Sequence, residues 1–328
     1  MRTKGFFFFA VLAPAVAGLA ACSGSATPSA ITNAPAPLAS PANSAPHGPK
    51  GPGWSSRGAA TQRVVYVTDG DKVLIFPEKR NRPPLGEISD GIESAYGVCL
   101  DRNGNLYVAN QYGNSVVEYP PGATEPSQSF SQDLERPLYP AVDSHGNLWV
   151  TNADNGTVVE FAAGTTQASH VLQTPGVEAD GLDFDPQGNL YVAYRLSPHG
   201  LGSIEEFAPG SSQGSILGMS INQPQSVVVA ASGTILTVET GGTNRIDVFP
   251  PGYQEPTLVV GVRDAPTQIA ITRDQRSLWV SSFAEGRIFS SPYPLLNPNG
   301  SPNVLHEKIR VKSYGTVQGM ALSNGQVF

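Results

Sequence analysis

The chain has 328 residues and a formal charge of -7, with 35 glycines, 29 prolines and only 14% charged residues. That composition points away from a helical protein and towards many short strands joined by tight turns. An acidic chain without a basic stripe excludes nucleic acid as a partner class, and two cysteines exclude a disulfide framework.

Residues 1–21 read as an address. Arg2 and Lys4 form a short positive region, and 5–19 form an apolar stretch too short for a membrane span. The end, Leu19-Ala20-Ala21-Cys22, resembles the bacterial lipobox, which implies cleavage before Cys22 and lipidation of that cysteine. The alternative is an ordinary secretory signal with a chance cysteine. Acyl chains on Cys22 would make the membrane a partner, since each buried CH₂ contributes about 0.8 kcal/mol. The expected location is therefore extracytoplasmic, anchored to a bacterial envelope. In a cell with two membranes this means the outer one, because Ser23 does not resemble the aspartate that marks inner-membrane retention. Residues 22–60 carry the lipidated Cys22 and then a stretch rich in Ala, Pro, Ser and Gly, without an apolar period. Such a segment cannot bury enough surface to order itself and reads as a disordered tether.

From residue 61 to 328 one phrase repeats. It stands as GVCLDRNGNLYVANQYGNSVVEYPPG from Gly97, then from Tyr139 and Gly181, with weaker copies from Ser226 and Gln268. The aromatic that closes each unit gives the count: Phe76, Tyr119, Phe161, Phe207, Phe249 and Phe289 stand 40 to 46 residues apart. Four short strands in about 42 residues make one blade of a β-propeller. The expected fold is all-β, a monomeric six-bladed propeller, although residues 290–315 leave room for an irregular seventh blade. The first piece carries only the second half of the phrase and GMALSNGQVF only the first half. The strand near Gly319 to Ser323 should therefore close the ring against the blade begun at Val64. Cys99, inside an inner strand, reads as a small buried apolar residue.

The unit VETGGTNRIDVF, with Asn244-Arg245-Ile246 entering the third strand, resembles an NHL repeat, and this pattern covers 64–328. The architecture is also similar to the gluconolactonase, streptogramin lyase and amidating lyase group of propellers. That resemblance implies a Ca or Mg ion at the channel mouth, held by residues just before the inner strands. Those positions here are Tyr96, Leu138, Asp180, Gln225, Thr267 and Gln318. Asp180 is their one acid, with Glu93 and Glu178 close in sequence to the mouth positions Tyr96 and Asp180. The lyases imply a mouth histidine, and His199 in the 195–202 loop is the candidate.

A second ring of residues ends the second strands: Asp69, Asn110, Asn152, Tyr194, Glu239 and Ser282. Either these cap the turns that follow by bonding backbone amides, or they form a polar collar for recognition together with Tyr112, Arg195 and His199. The preferred expectation is a non-catalytic binding or scaffold module without a cofactor. Tyr96, Asp180, Gln225 and Gln318 would line its mouth, with Asn110, Tyr112, Asn152, Arg195, His199 and Glu239 around them. Its partner would be an envelope protein, peptide, glycan or small ligand. The rival is a metal-dependent lactonase or lyase using Asp180, Glu93 or Glu178, and His199. A third reading is a structural envelope component.

Overall fold

The computed structural model describes residues 63–80, 82–296, 300–311 and 317–323. The leader, Cys22 and the tether lie outside the described residues. No helix among the described residues is long and apolar enough to cross a membrane.

The described residues form six antiparallel sheets arranged as the blades of a propeller. Their inner strands are Met320–Leu322, Ala95–Leu100, Pro137–Val142, Glu178–Phe184, Pro224–Val229 and Pro266–Ile271, for blades 1 to 6 in order. Blade 1 is composite. Val64–Thr68 pairs with Val73–Pro77 on one side and with Met320–Leu322 on the other, Tyr66 standing opposite Ala321. The Ser323 amide donates to the Val64 carbonyl at 2.9 Å, and the Val64 amide donates to Ser323 Oγ at 2.8 Å. The two ends of the propeller are thus sewn together.

Six apolar clusters hold the ring, one at each junction between neighbouring blades. The junction of blades 6 and 1 packs Trp279, Ile288 and Ile309 against Val65, Val67 and Met320, so ring closure buries a core as well as an edge. The repeated aromatics Phe76, Tyr119, Phe161, Phe207, Phe249 and Phe289 are all buried. Cys99 is half-buried, and burial pushes its thiol pKa up.

The repeated Asp-x-x-Gly-Asn is a turn device. Asp143 Oδ1 accepts from the amides of His145 and Asn147, while Oδ2 accepts from Asn147 Nδ2 at 2.9 Å. Asp101 and Asp185 repeat the arrangement. The glycine inside it, Gly146, sits at φ +89, where a side chain is disfavoured.

Two details depart from a uniform repeat. Blade 4 has five strands, because Ser215–Ile216 and Ile221–Asn222 both pair with Leu201–Phe207. The segment left open in the sequence is the outer half of blade 6: His306–Arg310 pairs with Arg287–Pro292, and there is no seventh blade among the described residues.

Candidate functional site

All six inner strands begin at the same end of the ring, beside the loops that enter each blade and the turns between its second and third strands. In a ring of six, blade 2 faces blade 5 and blade 3 faces blade 6. Tyr96, at the start of blade 2, donates its hydroxyl to Gln225 Oε1 of blade 5 at 3.3 Å. Tyr139 of blade 3 donates to the Thr267 carbonyl of blade 6 at 2.9 Å. The two rings meet edge to face with centroids 5.3 Å apart, a favoured aromatic geometry. Both bars are buried and cross the channel beneath its mouth. Burial and the nearby Asp180 raise the Tyr96 hydroxyl far above its ordinary pKa, so it stays a neutral donor.

Close backbone packing supports the crossing. A Cβ on Gly181 would stand 2.4 Å from Ser226 Cα, and one on Gly97 would stand 2.5 Å from the Leu138 carbonyl. The strands can converge only because these side chains are absent. Gln318 is half-buried on the first blade, its backbone amide donating to Thr68 Oγ1 at 3.2 Å.

Asp180 is completely buried, and both its oxygens face one guanidinium. Arg195 Nε donates to Oδ2 at 2.6 Å and Nη2 to Oδ1 at 2.7 Å. A β-bulge between Ala179 and Leu182 sets this register, and Glu178 stands opposite Arg195 in the ladder. Arg195 Nη2 also lies 3.0 Å from Glu178 Oε1, and Nη1 donates to the Pro198 carbonyl at 2.8 Å. Arg136 continues the chain, 3.5 Å from Glu178 and 2.6 Å from Asp154. Burial raises the Asp180 carboxyl towards about 7, and Arg195 opposes it. For Arg195, burial lowers the pKa but Asp180 outweighs it and the net direction is up. Two short charge-assisted bonds decide for the ion pair at neutral pH.

This donor set does not fit Ca or Mg. A guanidinium occupies both Asp180 oxygens, and two arginines share Glu178. A hard cation needs several oxygens turned towards it without a resident positive charge. Glu93 is exposed on another blade's entry loop. Among the described residues no group of three or more His, Cys, Asp or Glu side chains could hold a metal. His199 is exposed on the rim, its carbonyl accepting from Gln223 Nε2 at 2.9 Å.

The second ring staples entry loops. Asn110 Oδ1 accepts from the Glu93 amide at 3.0 Å, and its Nδ2 donates to the Gly91 carbonyl at 2.8 Å. Asn152 repeats this with the Glu135 amide and the Asp133 carbonyl. Glu239 accepts from the Asn222 amide at 2.9 Å and lies 3.0 Å from Arg245. All three side chains are buried and point into the protein's own loops. Tyr112, by contrast, stands out into solvent with 70% of its surface exposed.

Sequence reasoning overlooked Tyr139, Thr267 as a backbone acceptor, and Arg136. A signal for Tyr139 was present. The position after the mouth residue is Gly97, Gly181 and Gly319 in three blades and Tyr139, Ser226 and Gln268 in the others, and Tyr139 is the one aromatic among the six. At the opposite end of the ring, the channel opens past Asp183 and Phe184 into a cavity of about 750 Å³.

No family model matches the chain, and no curated protein matches it. Solved structures do. One chain of a nidogen/laminin complex superposes with a TM-score of 0.67 at 18% identity, covering 80% of this chain and 99% of that one. A chain of Kuenenia stuttgartiensis hydrazine synthase gives 0.51 at 17% identity, covering 68% of each. A streptogramin B lyase structure gives 0.49 at 12% identity, covering 76% of this chain and 74% of that one. At such identities the likeness shows the fold alone: this chain is a six-bladed β-propeller.

Proposed function

We propose that the protein is a non-catalytic binding or scaffold module of NHL type. In this reading it is held outside the cytoplasm by lipid on Cys22 and presents the end of the propeller where the inner strands begin. The observation that carries it is the state of Asp180. The one acid at the mouth positions is buried and clamped by Arg195, leaving no carboxylate free to hold a metal or move a proton there. The crossed tyrosines support the same view, since they fill the channel that a lactone would have to enter. Rigid loops pinned by Asn110 and Asn152 suit recognition, because a preformed surface loses little entropy on binding.

A metal-dependent lactonase or lyase is the rival. The assay that separates the two is hydrolysis of a simple aldonolactone by the full chain with Ca²⁺ or Mg²⁺. The binding-module reading expects no rate above buffer. Ion-dependent turnover lost in Asp180→Asn would overturn it.

A further inference from the structure

The loop end of blades 1 to 4 forms one continuous surface, traceable contact by contact. Asp71 of blade 1 accepts from the Ser94 amide at 2.9 Å. Next to Ser94, Glu93 packs against Gly113, the neighbour of Tyr112. Asn114 accepts from the Arg136 amide at 2.8 Å, and Asn155 donates to Glu135 at 3.1 Å. Gly156 abuts Val177, whose amide donates to the Arg195 carbonyl, and Leu196 pairs with Leu201.

The chemistry of this arc has two halves. Over blades 1 to 3 it exposes five carboxylates without a cation partner, Asp71, Asp90, Glu93, Asp133 and Glu135, and a sixth, Asp154, paired with Arg136. The cations in the same loops are taken up within the protein, Lys72 by Glu87 and Arg136 by Asp154 and Glu178. At blade 4 the arc becomes aliphatic. Leu196, Leu201 and Val177 are 57%, 54% and 48% exposed and lie side by side. Large aliphatic side chains clustered in solvent beside a charged rim mark an interaction surface.

We infer that this arc docks a basic protein segment whose lysines or arginines lie over blades 1 to 3 while an apolar side chain seats on Leu196, Leu201 and Val177. The inference rests on the binding-module reading and names its partner's chemistry. Charge complementarity selects the sign of the partner. An anionic bilayer is repelled by the same acids.

The test is fluorescence anisotropy of the full chain with three synthetic peptides of equal length: lysine–leucine, lysine–serine and glutamate–leucine. The expected result is saturable binding of lysine–leucine alone, weakening as salt rises. Asp90, Glu93 and Asp133 make no side-chain bond within the described residues, so Asp90→Asn/Glu93→Gln/Asp133→Asn leaves the fold intact. This triple variant should lose on the order of tenfold in affinity, as should Leu196→Ser/Leu201→Ser. Glu255→Gln, on an exposed turn between the third and fourth strands of blade 5 and outside the arc, should lose nothing. Binding of glutamate–leucine as tightly, no binding of any peptide, or equal loss in the distant variant would overturn the inference. Lactone turnover is read separately. Its absence alongside failed peptide binding would leave the binding module standing with the wrong partner, whereas its presence would remove the module reading itself.

Discussion

Tyr96 and Tyr139 cross edge to face under the channel mouth, and each hydroxyl ends on the blade opposite its own, at Gln225 and Thr267. The pair braces the ring across its diameter. Tyr139→Phe keeps the ring contact but leaves the buried Thr267 carbonyl without its donor. It should cost about 1 kcal/mol, and Tyr139→Ala about 3–5 kcal/mol through the cavity it opens. Urea denaturation of both variants measures the difference.

Arg195 is needed because Asp180 is buried. Arg195→Met strands a fully buried carboxylate beside Glu178 and should cost about 3–5 kcal/mol. Asp180→Asn/Arg195→Met removes both charges and should recover a large part of that loss. Chemical denaturation of the single and double variants reads the coupling. Equal losses in both would mean that the pair contributes through packing alone.

Ring closure makes the last described strand indispensable. Ending the chain before Gly319 removes Met320–Leu322, bares the edge of Val64–Thr68 and opens the cluster around Val65, Val67 and Trp279. The cooperative thermal transition followed by circular dichroism should disappear. A shortened chain that melted as sharply and as high as the parent would contradict closure.

Asp183 gives a pH dependence with a definite sign. Burial raises its carboxyl to about 7, against the pull of bonds from the Val229 and Phe184 amides. Unfolded, it titrates near 4. Between those values the native chain keeps a proton that the unfolded chain has released, so stability falls as pH rises through the window. Glu205, raised by burial to about 7, adds to the same trend. Asp183→Asn should flatten the fall in melting temperature between pH 5 and pH 8. Because the residue is partly exposed and solvent screens the effect, its share should be about 1 kcal/mol, or roughly 2–4 °C.

The blade count and the closing strand were legible because both depend on a short phrase that recurs at blade spacing. The outer strand His306–Arg310 was not, since its surroundings abandon the phrase: prolines at 292, 294 and 302 interrupt the period, and the strand joins its neighbour through a register shift at Ile288 and Phe289. The site was legible in membership more than in relationships. Asp180 and Arg195 were both singled out, but as members of different rings. What pairs them is a bulge at Ala179–Leu182 that no residue spacing announces. Tyr96 and Gln225 were placed together at the mouth, yet their bond spans 129 residues and depends on the ring geometry. Asn110 and Asn152 bond backwards to entry-loop amides 17 residues earlier as well as across the turn they begin, to Ser115 and Thr157.

The measurement that tests the account most directly is a thermal-shift titration of the full chain with Ca²⁺, Mg²⁺, Mn²⁺ and Zn²⁺ against EDTA. An ion that binds the native state raises the melting temperature by mass action. With Arg195 already seated on Asp180, the account predicts no saturable shift with any of the four ions. A saturable rise that Asp180→Asn abolishes would contradict it and return the mouth to metal chemistry.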